Sequence, residues 1–147
     1  STPSDGKQPV PEPALAGLTG RTITEPSRQI PILAETDVLV VGGGPAGTAA
    51  AIAASRAGAE TWLVERYNHL GGLWTGGLVL PLLSTRAVDR RNRRKQVIYG
   101  IGGEMAQRLK DLGMSISEVN PVVDPEAAKY VLDEMISESG VKMLYHA

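Results

Sequence analysis

Residues 37–65 read DVLVVGGGPAGTAAAIAASRAGAETWLVE, and this stretch decides the fold. It begins with a short apolar run rich in β-branched residues, which predicts a strand. A glycine turn and an alanine-rich segment follow, and a second apolar run, residues 61–64, ends at Glu65. The order strand, glycine turn, helix, strand and acid predicts a βαβ unit, and therefore an α/β domain with a parallel sheet.

Three glycines of the turn, Gly42, Gly44 and Gly47, fit the pattern G-x-G-x-x-G directly after the first predicted strand. The first glycine permits a tight turn, the second lets a pyrophosphate approach the backbone, and the third lets the helix pack close to the strand. The helix N-terminus presents free N–H groups and a positive dipole end to the phosphates. Glu65 stands 23 positions after Gly42, where an acid accepts hydrogen bonds from ribose hydroxyls. The stretch therefore predicts a dinucleotide-binding site.

A second glycine-rich segment follows the acid. Two Gly-Gly pairs, residues 71–72 and 76–77, flank the residues Leu73, Trp74 and Thr75. Glycine pairs this dense allow a backbone to run against something flat or close. A plain hairpin turn is the alternative interpretation of the same residues.

Two segments follow that carry no site motif. Residues 78–83 are apolar, and we expect them to be buried and extended. Residues 84–97 hold six of the fifteen Lys and Arg residues, and we expect a solvated loop. No aromatic residue lies among these basic residues, which argues against a nucleic-acid surface.

The last third of the chain contains clear helix signals. Residues 102–112 carry one apolar stripe and end at Gly113, a suitable C-terminal cap. A second helix is predicted to begin after Asp124 as N-cap, with Pro125 at the first helical position. Gly140 ends that helix, and residues 141–145 are predicted to form a strand.

Composition limits the class of protein. The chain has 147 residues, 42% hydrophobic and 21% charged, which is typical of one globular domain. A formal net charge of −1 provides no field that would attract nucleic acid or an anionic membrane. No apolar run reaches the ~18 residues that a membrane span needs. The absence of cysteine excludes disulfides, thiolate metal sites and cysteinyl-flavin attachment within the chain. His69 and His146 alone do not predict a metal site.

Residues 1–35 are predicted to be a proline-rich N-terminal extension. Proline favours extended backbone, so we expect either a segment anchored by its apolar residues or a partly ordered tail. The chain begins with Ser1 and lacks an initiator Met. We therefore expect either that a leader has been removed or that the numbering starts inside a longer sequence. A periplasmic or secreted location is compatible with this, and so is the cytoplasm. Six of the ten prolines fall in this extension: Pro3, Pro9, Pro11, Pro13, Pro26 and Pro31.

Taken together, these segments resemble the flavoproteins with two dinucleotide-binding domains and a glutathione-reductase-like FAD fold. Within them, they are most similar to the broad FAD-dependent oxidoreductase family. The resemblance is carried by residues 37–58, the pair Glu65-Arg66 and residues 69–79, and it continues into residues 124–132 and the turn at residues 140–141. It covers residues 37–147 and is specific for the superfamily, not for a substrate.

The resemblance implies that residues 36–147 form the N-terminal part of a Rossmann-like FAD-binding domain. The glycine turn would hold the pyrophosphate, Glu65 would bind the ribose of the AMP half, and residues 71–75 would run along the ribityl chain towards the isoalloxazine. Trp74 or Thr75 would then tune the reactive N5 edge of the flavin. His69 is a candidate for covalent attachment of FAD, although the residues around it do not match the sequence pattern of histidyl-flavin bonds. The implied FAD contacts are Gly42, Gly44, Pro45, Ala46, Gly47, Glu65, Arg66, Gly71, Gly72, Leu73, Trp74 and Thr75.

The resemblance also implies that the domain is incomplete. Related proteins add an adenine-contacting strand, a three-stranded crossover, a substrate domain and a C-terminal Gly-Asp segment, and all of these would follow Ala147. We therefore expect a second polypeptide to complete the FAD site and the substrate site. The implied function is the FAD-binding subunit or N-terminal fragment of an oxidoreductase that oxidises a small organic substrate by hydride transfer to flavin N5. The sequence does not identify a catalytic residue.

Two other functions fit the same residues. The glycine turn and Glu65 would serve an NAD(P)-binding Rossmann domain of a dehydrogenase equally well, because both nucleotides present an adenosine ribose to the acid. The two Gly-Gly pairs after Glu65 argue against this alternative, since a plain NAD domain does not need them. The third candidate is a non-catalytic subunit that binds a nucleotide for assembly.

Overall fold

The computed structural model describes residues 23–83, 85–116 and 121–147. The chain divides into two units, Ser1–Leu33 and Ala34–Ala147. Most of the predicted extension, residues 1–22, lies outside the described residues. Residues 23–33 are exposed and contain neither helix nor strand.

The predicted βαβ unit is confirmed at the start of the second unit. Strand β1 (Val38–Val41) runs parallel to strand β2 (Thr61–Glu65), and helix α1 (Pro45–Arg56) connects them. Burial alternates along β2, which is the pattern of a strand with one face on the core. Helix α1 carries no bulky side chain over its first seven residues, 45–51, and therefore packs close to the sheet.

The prediction that residues 78–83 are buried is wrong for most of the segment. Leu82 is buried and its N–H donates to the Pro121 carbonyl at 2.8 Å, whereas Leu78 and Leu83 are about two-thirds exposed, at 66% and 67%. Neighbouring side chains of an extended segment point to opposite sides, so Leu83 faces away from the core that Leu82 meets. Leu78 has φ +54°, which is not an extended conformation.

The basic segment is a hairpin and not the predicted loop. Strands β3 (Arg86–Val88) and β4 (Arg94–Gln96) pair antiparallel, and all six of their residues are exposed. The Asp89 carboxylate organises the turn by accepting hydrogen bonds from the N–H groups of Arg91 and Arg93, at 2.8 and 2.9 Å. The backbone hydrogen bond from Arg93, opposed in part by desolvation, is the main reason that the pKa of Asp89 lies below its ordinary value.

Helix α2 (Gly100–Asp111) confirms the first predicted helix and buries Met105 and Leu109. Gly113, at φ +71°, has the left-handed conformation expected of a residue just past a helix end. Strands β5 (Ser115–Ile116) and β6 (Val122–Val123) then form a short antiparallel pair. Among the described residues, no helix is both long enough and apolar enough to cross a membrane.

Helix α3 (Pro125–Ser139) begins and ends at the predicted residues. The Asp124 carboxylate accepts a hydrogen bond from the Ala127 N–H at 2.8 Å, which caps the N-terminus. Gly140 has φ +80° and ends the helix, and strand β7 (Lys142–Tyr145) follows. The local capping signals therefore set both boundaries.

The parallel sheet has the strand order β1-β2-β7. Val40 lies opposite Leu63, which lies opposite Met143. Helix α1 packs on β1 and β2 and against α3, and α3 in turn packs against α2. The α/β class with a parallel sheet is confirmed. The buried core is formed by Ala51, Ile52, Leu63, Leu70, Leu82, Met105, Leu109, Val123, Ala128, Val131, Leu132, Met135, Ile136 and Val141.

Four charged side chains connect the three helices at their surface. Glu104 accepts hydrogen bonds from Arg56 at 2.7 Å and from Arg108 at 2.8 Å, and Arg108 also contacts Glu138 at 2.6 Å. The hydrogen bond from Arg56, followed by that from Arg108, lowers the pKa of Glu104 from its ordinary value of 4.5 to about 2. The cluster therefore fixes α1, α2 and α3 relative to one another.

We expect Glu104→Gln to destabilise the protein by about 1 kcal/mol at pH 7, because it removes the charge shared by two guanidinium groups. A carboxyl whose folded pKa is lowered stabilises the protein above its unfolded pKa and loses this effect as pH falls to the folded pKa. The difference between parent and variant should therefore shrink between pH 4.5 and pH 2. Urea unfolding across this range measures it. Glu126→Gln, in the exposed pair with Lys129, is the control and should change stability by only a few tenths of a kcal/mol. A difference that stays constant with pH would contradict the prediction.

Candidate functional site

The glycine turn lies at the carboxyl end of β1, where ligands bind in open α/β sheets. Gly42 has φ +100°, a conformation that side chains rarely adopt. A Cβ on Gly47 would lie 1.8 Å from the Gly42 carbonyl oxygen, so only glycine fits there. A Cβ on Gly44 would meet no atom within 4 Å, and the space in front of this residue is therefore open. Each geometry is the one that the predicted role of that glycine requires.

The N-terminus of α1 provides anion-binding groups at this open space. Gly44 is the N-cap and Pro45 follows it, and no side chain caps this helix end. The first N–H groups of a helix have no acceptor within the helix, so those of Ala46 and Gly47 are available to a ligand. Together with the dipole of a 12-residue helix, they favour a phosphate.

Glu65 is buried at the carboxyl end of β2 and holds the turn. Its Oε2 accepts a hydrogen bond from the Gly43 N–H at 2.5 Å, and its Oε1 accepts one from the Tyr67 N–H at 2.9 Å. Each carboxylate oxygen keeps a further acceptor position for a ligand hydroxyl. On the adjacent strand, burial and a 2.6 Å hydrogen bond to Asp133 raise the pKa of Tyr145. The Tyr145 hydroxyl is therefore neutral and donates its proton to the hydrogen bond with Asp133.

Two further groups bind the carbonyl of the same residue, Gly43. The Gly43 carbonyl accepts hydrogen bonds from the Thr48 hydroxyl at 3.0 Å and from the Gly71 N–H at 2.9 Å. Leu70 packs so closely that a Cβ on Gly43 would lie 2.4 Å from its Cδ2 atom. Thr48 and Leu70 were not among the predicted site residues. The sequence signal for Thr48 is a polar residue directly after Gly47 in the first turn of α1, on its sheet-facing side.

The second glycine segment contacts the first one. A Cβ on Gly72 would lie 3.0 Å from the Gly44 Cα, so the backbone of the 3₁₀ turn Gly72–Trp74 passes close to the glycine turn. The predicted pyrophosphate residues and the start of the predicted ribityl segment thus lie side by side. Leu73 is 55% exposed, whereas Trp74 is partly buried and packs against the core.

Thr75 and Arg66 contact neighbouring residues of the loop after β2. The Thr75 hydroxyl is buried and donates to the Leu70 carbonyl at 2.6 Å, which closes the loop between the two residues. This contact favours a role in loop shape over the predicted contact with the flavin ring. Arg66 is exposed, and its guanidinium lies 5.2 Å from the centre of the Tyr67 ring, a cation–π contact beside the site.

We expect Thr48→Val to weaken nucleotide binding roughly fivefold, because the nearly isosteric valine removes about 1 kcal/mol of hydrogen bonding from the Gly43 carbonyl. Thr48→Ser restores the hydroxyl and should restore affinity. The measurement is the dissociation constant of FAD from the full-length protein, with thermal unfolding as the control for stability. Equal affinity of all three proteins would contradict the role of Thr48.

A model of the family described as FAD dependent oxidoreductase matches residues 37–147 of this chain. The matched region contains every predicted site residue. It begins at Asp37, one residue before β1, and includes both glycine segments.

Several known proteins are similar to part of the chain. Thiamine thiazole synthase from Aeropyrum pernix is 47% identical over 57 residues, which are 38% of this chain and 21% of that protein. The 3-oxosteroid 1-dehydrogenase of Mycobacterium tuberculosis is 38% identical over 80 residues, 50% of this chain and 14% of that protein. The crystal structure of Thermovibrio ammonificans THI4 aligns with a TM-score of 0.47 and 21% identity, over 75% of this chain and 38% of that one. The matches therefore span about a fifth or less of the two curated relatives.

Proposed function

The chain belongs to the FAD-dependent oxidoreductase family, and from this membership we propose that it is the FAD-binding part of an enzyme that oxidises a small organic substrate by hydride transfer to flavin N5. The predictions of the family and of FAD as its cofactor are confirmed. Because the matching family is FAD-dependent, the NAD(P)-binding alternative loses its support.

The observation that carries the proposal is the contact between the two glycine segments at the carboxyl end of the sheet. Gly44 leaves open space in front of the α1 N-terminus, and Gly72 brings a second backbone to the edge of that space. The open space at Gly44 is what a pyrophosphate needs. The backbone at Gly72 is what the ribityl chain, which continues from the pyrophosphate, would run along. The residues of this structure therefore fit FAD.

Each group has a defined task at this site. The N–H groups of Ala46 and Gly47 would bind pyrophosphate oxygens, and Glu65 would accept a hydrogen bond from the adenosine ribose. Thr48 and Gly71 hold the Gly43 peptide so that these donors are oriented before the cofactor arrives. When bound, FAD supplies the acceptor for the hydride.

We further propose that a second polypeptide completes the cofactor and substrate sites. Leu39 and Val41 point from β1 to the face of the sheet opposite α1, and they are 59% and 78% exposed. Parallel sheets are almost always covered on both faces, so this apolar face favours a covering segment. Strands β1 and β7 form the two edges of the described sheet and offer unpaired backbone groups to further strands.

The test is the visible absorption spectrum of the natively purified protein, repeated on the supernatant after acid precipitation. We expect a flavin spectrum that moves to the supernatant, which indicates non-covalent FAD. Flavin in the precipitate would point to attachment at His69 or on the partner. A colourless native protein would contradict the proposal and favour a non-catalytic nucleotide-binding subunit.

The partner proposal needs its own measurement. Denaturing mass spectrometry of the coloured fraction should show a second polypeptide in fixed ratio to the flavin. A single polypeptide that retains FAD at one equivalent would contradict the second chain and leave the assignment of FAD intact.

A further inference from the structure

A cavity of about 500 Å³ lies beside the second glycine segment. Its wall contains Tyr67 and His69 from the loop after β2, the exposed side chain of Leu73, and backbone without side chains at three glycines. The three glycines are Gly72, Gly76 and Gly77. The loop therefore borders a space that a flat group can enter.

The hydrogen bonds of His69 determine which ring nitrogen carries the proton. His69 Nδ1 lies 3.1 Å from the Leu70 carbonyl oxygen, and a carbonyl oxygen can only accept. The Thr75 hydroxyl, 3.2 Å from Nδ1, donates to that same carbonyl at 2.6 Å. Nδ1 must therefore be the donor to Leu70, and in the neutral ring the lone pair belongs to Nε2.

Gly76 lies against the edge of the His69 ring that carries Nε2. A Cβ on Gly76 would lie 2.8 Å from His69 Cε1 and 3.1 Å from Nε2. Any side chain at this position would press against the ring edge that carries the lone pair. Among the described residues, no donor forms a hydrogen bond to Nε2, so this acceptor is available to a ligand.

The shape and polarity of the wall define the class of ligand. The rings of Tyr67 and His69 are parallel within 9°, with centroids 6.0 Å apart. Parallel rings, the apolar Leu73 side chain and bare glycine backbone favour a planar aromatic group. Nε2 of the neutral ring can accept a hydrogen bond but has no proton to donate. The ligand must therefore carry a hydrogen-bond donor.

We propose that this cavity binds a planar aromatic group carrying an O–H or N–H donor, and that His69 Nε2 accepts the hydrogen bond from that donor. The inference rests on the proposed function, in which two sources supply such a ring: the substrate, or a ring of FAD itself. Both sources share this chemistry, and the experiment below distinguishes them.

The probes are phenol, which carries a ring and an O–H donor, and anisole, in which a methyl group replaces that donor. Binding to the full-length holoprotein and to its flavin-free form is followed by the ¹⁵N chemical shifts of the His69 ring. We expect the parent to bind phenol roughly three- to tenfold more tightly than anisole, which is the effect of one hydrogen bond. The free protein should show the tautomer protonated at Nδ1.

His69→Phe keeps the flat ring and removes the acceptor, so it should bind phenol and anisole equally, as followed by equilibrium dialysis. His69→Gln, whose side-chain carbonyl still accepts, should retain part of the preference. Thermal unfolding of both variants checks that the loop is intact.

The two sources give different results. Binding of phenol to the holoprotein without release of FAD assigns the cavity to the substrate. Binding only to the flavin-free form, with competition by FAD, assigns it to a cofactor ring. Equal binding of phenol and anisole to the parent, or a preference that survives in His69→Phe, overturns the proposal. The FAD content of the parent is measured separately, so failure of the proposed function is recognised independently of this outcome.

Discussion

The Gly44→Ala variant is expected to fold as the parent does and to bind FAD about a hundredfold more weakly. Gly44 has φ −68° and ψ −179°, which alanine adopts without strain, and a Cβ there would meet no protein atom within 4 Å. The added methyl group would instead occupy the space through which the pyrophosphate approaches the α1 N-terminus. Loss of a charge-assisted hydrogen bond costs about 2–3 kcal/mol, which is roughly a hundredfold in Kd.

Gly47→Ala is the matched variant in the same turn, and it should fail for a different reason. Its Cβ would collide with the carbonyl oxygen of Gly42, a backbone atom that cannot rotate away. We therefore expect a loss of about 3 kcal/mol of unfolding free energy as well as a loss of FAD. Thermal unfolding separates the two variants, and flavin fluorescence measures the cofactor. Parent-like FAD affinity in a well-folded Gly44→Ala protein would place the pyrophosphate elsewhere.

The sequence predicted the structure correctly at turns and helix ends, whose conformation depends on a few neighbouring residues. The turn at Gly42, the cap at Asp124 and the stop at Gly140 depend on a few neighbouring residues, and all three are found as predicted. The hairpin at residues 86–96 was missed because charged side chains on both faces hide the alternation that identifies a strand. The signal that was available is Asp89 with Asn92, since Asp and Asn favour tight turns.

The remaining parts of the site depend on contacts between distant segments. Thr48 binds the carbonyl of Gly43 while Glu65 binds its N–H, and the sequence does not show that these side chains meet at one residue. The burial of residues 78–83 was wrong for a similar reason, because an apolar run does not reveal which of its sides has a neighbour. Leu82 meets the core and Leu83 does not.

Glu65→Gln is expected to weaken FAD binding about a hundredfold and to destabilise the protein by about 2 kcal/mol. Both carboxylate oxygens accept backbone N–H groups, from Gly43 and Tyr67. A glutamine amide has only one oxygen, so its NH₂ group would face one of these donors and leave it unpaired. An unpaired buried donor costs about 1–3 kcal/mol, and the loss of the anionic acceptor adds to the effect on FAD.

Binding of FAD whose adenosine lacks the 2′-hydroxyl tests whether Glu65 acts on the ribose as well as on the turn. If the carboxylate accepts a ribose hydroxyl, the parent should bind natural FAD about tenfold more tightly than the deoxy analogue, and Glu65→Gln should lose most of this preference. If Glu65 only binds the Gly43 N–H, the parent and Glu65→Gln will show the same preference for natural FAD over the deoxy analogue, or neither will show one. Comparing the two cofactors in each protein removes the effect of a distorted turn, because that distortion weakens the binding of both cofactors alike. A parent that binds the two cofactors equally would contradict the ribose contact and leave the hydrogen bonds to Gly43 and Tyr67 as the whole role of this acid.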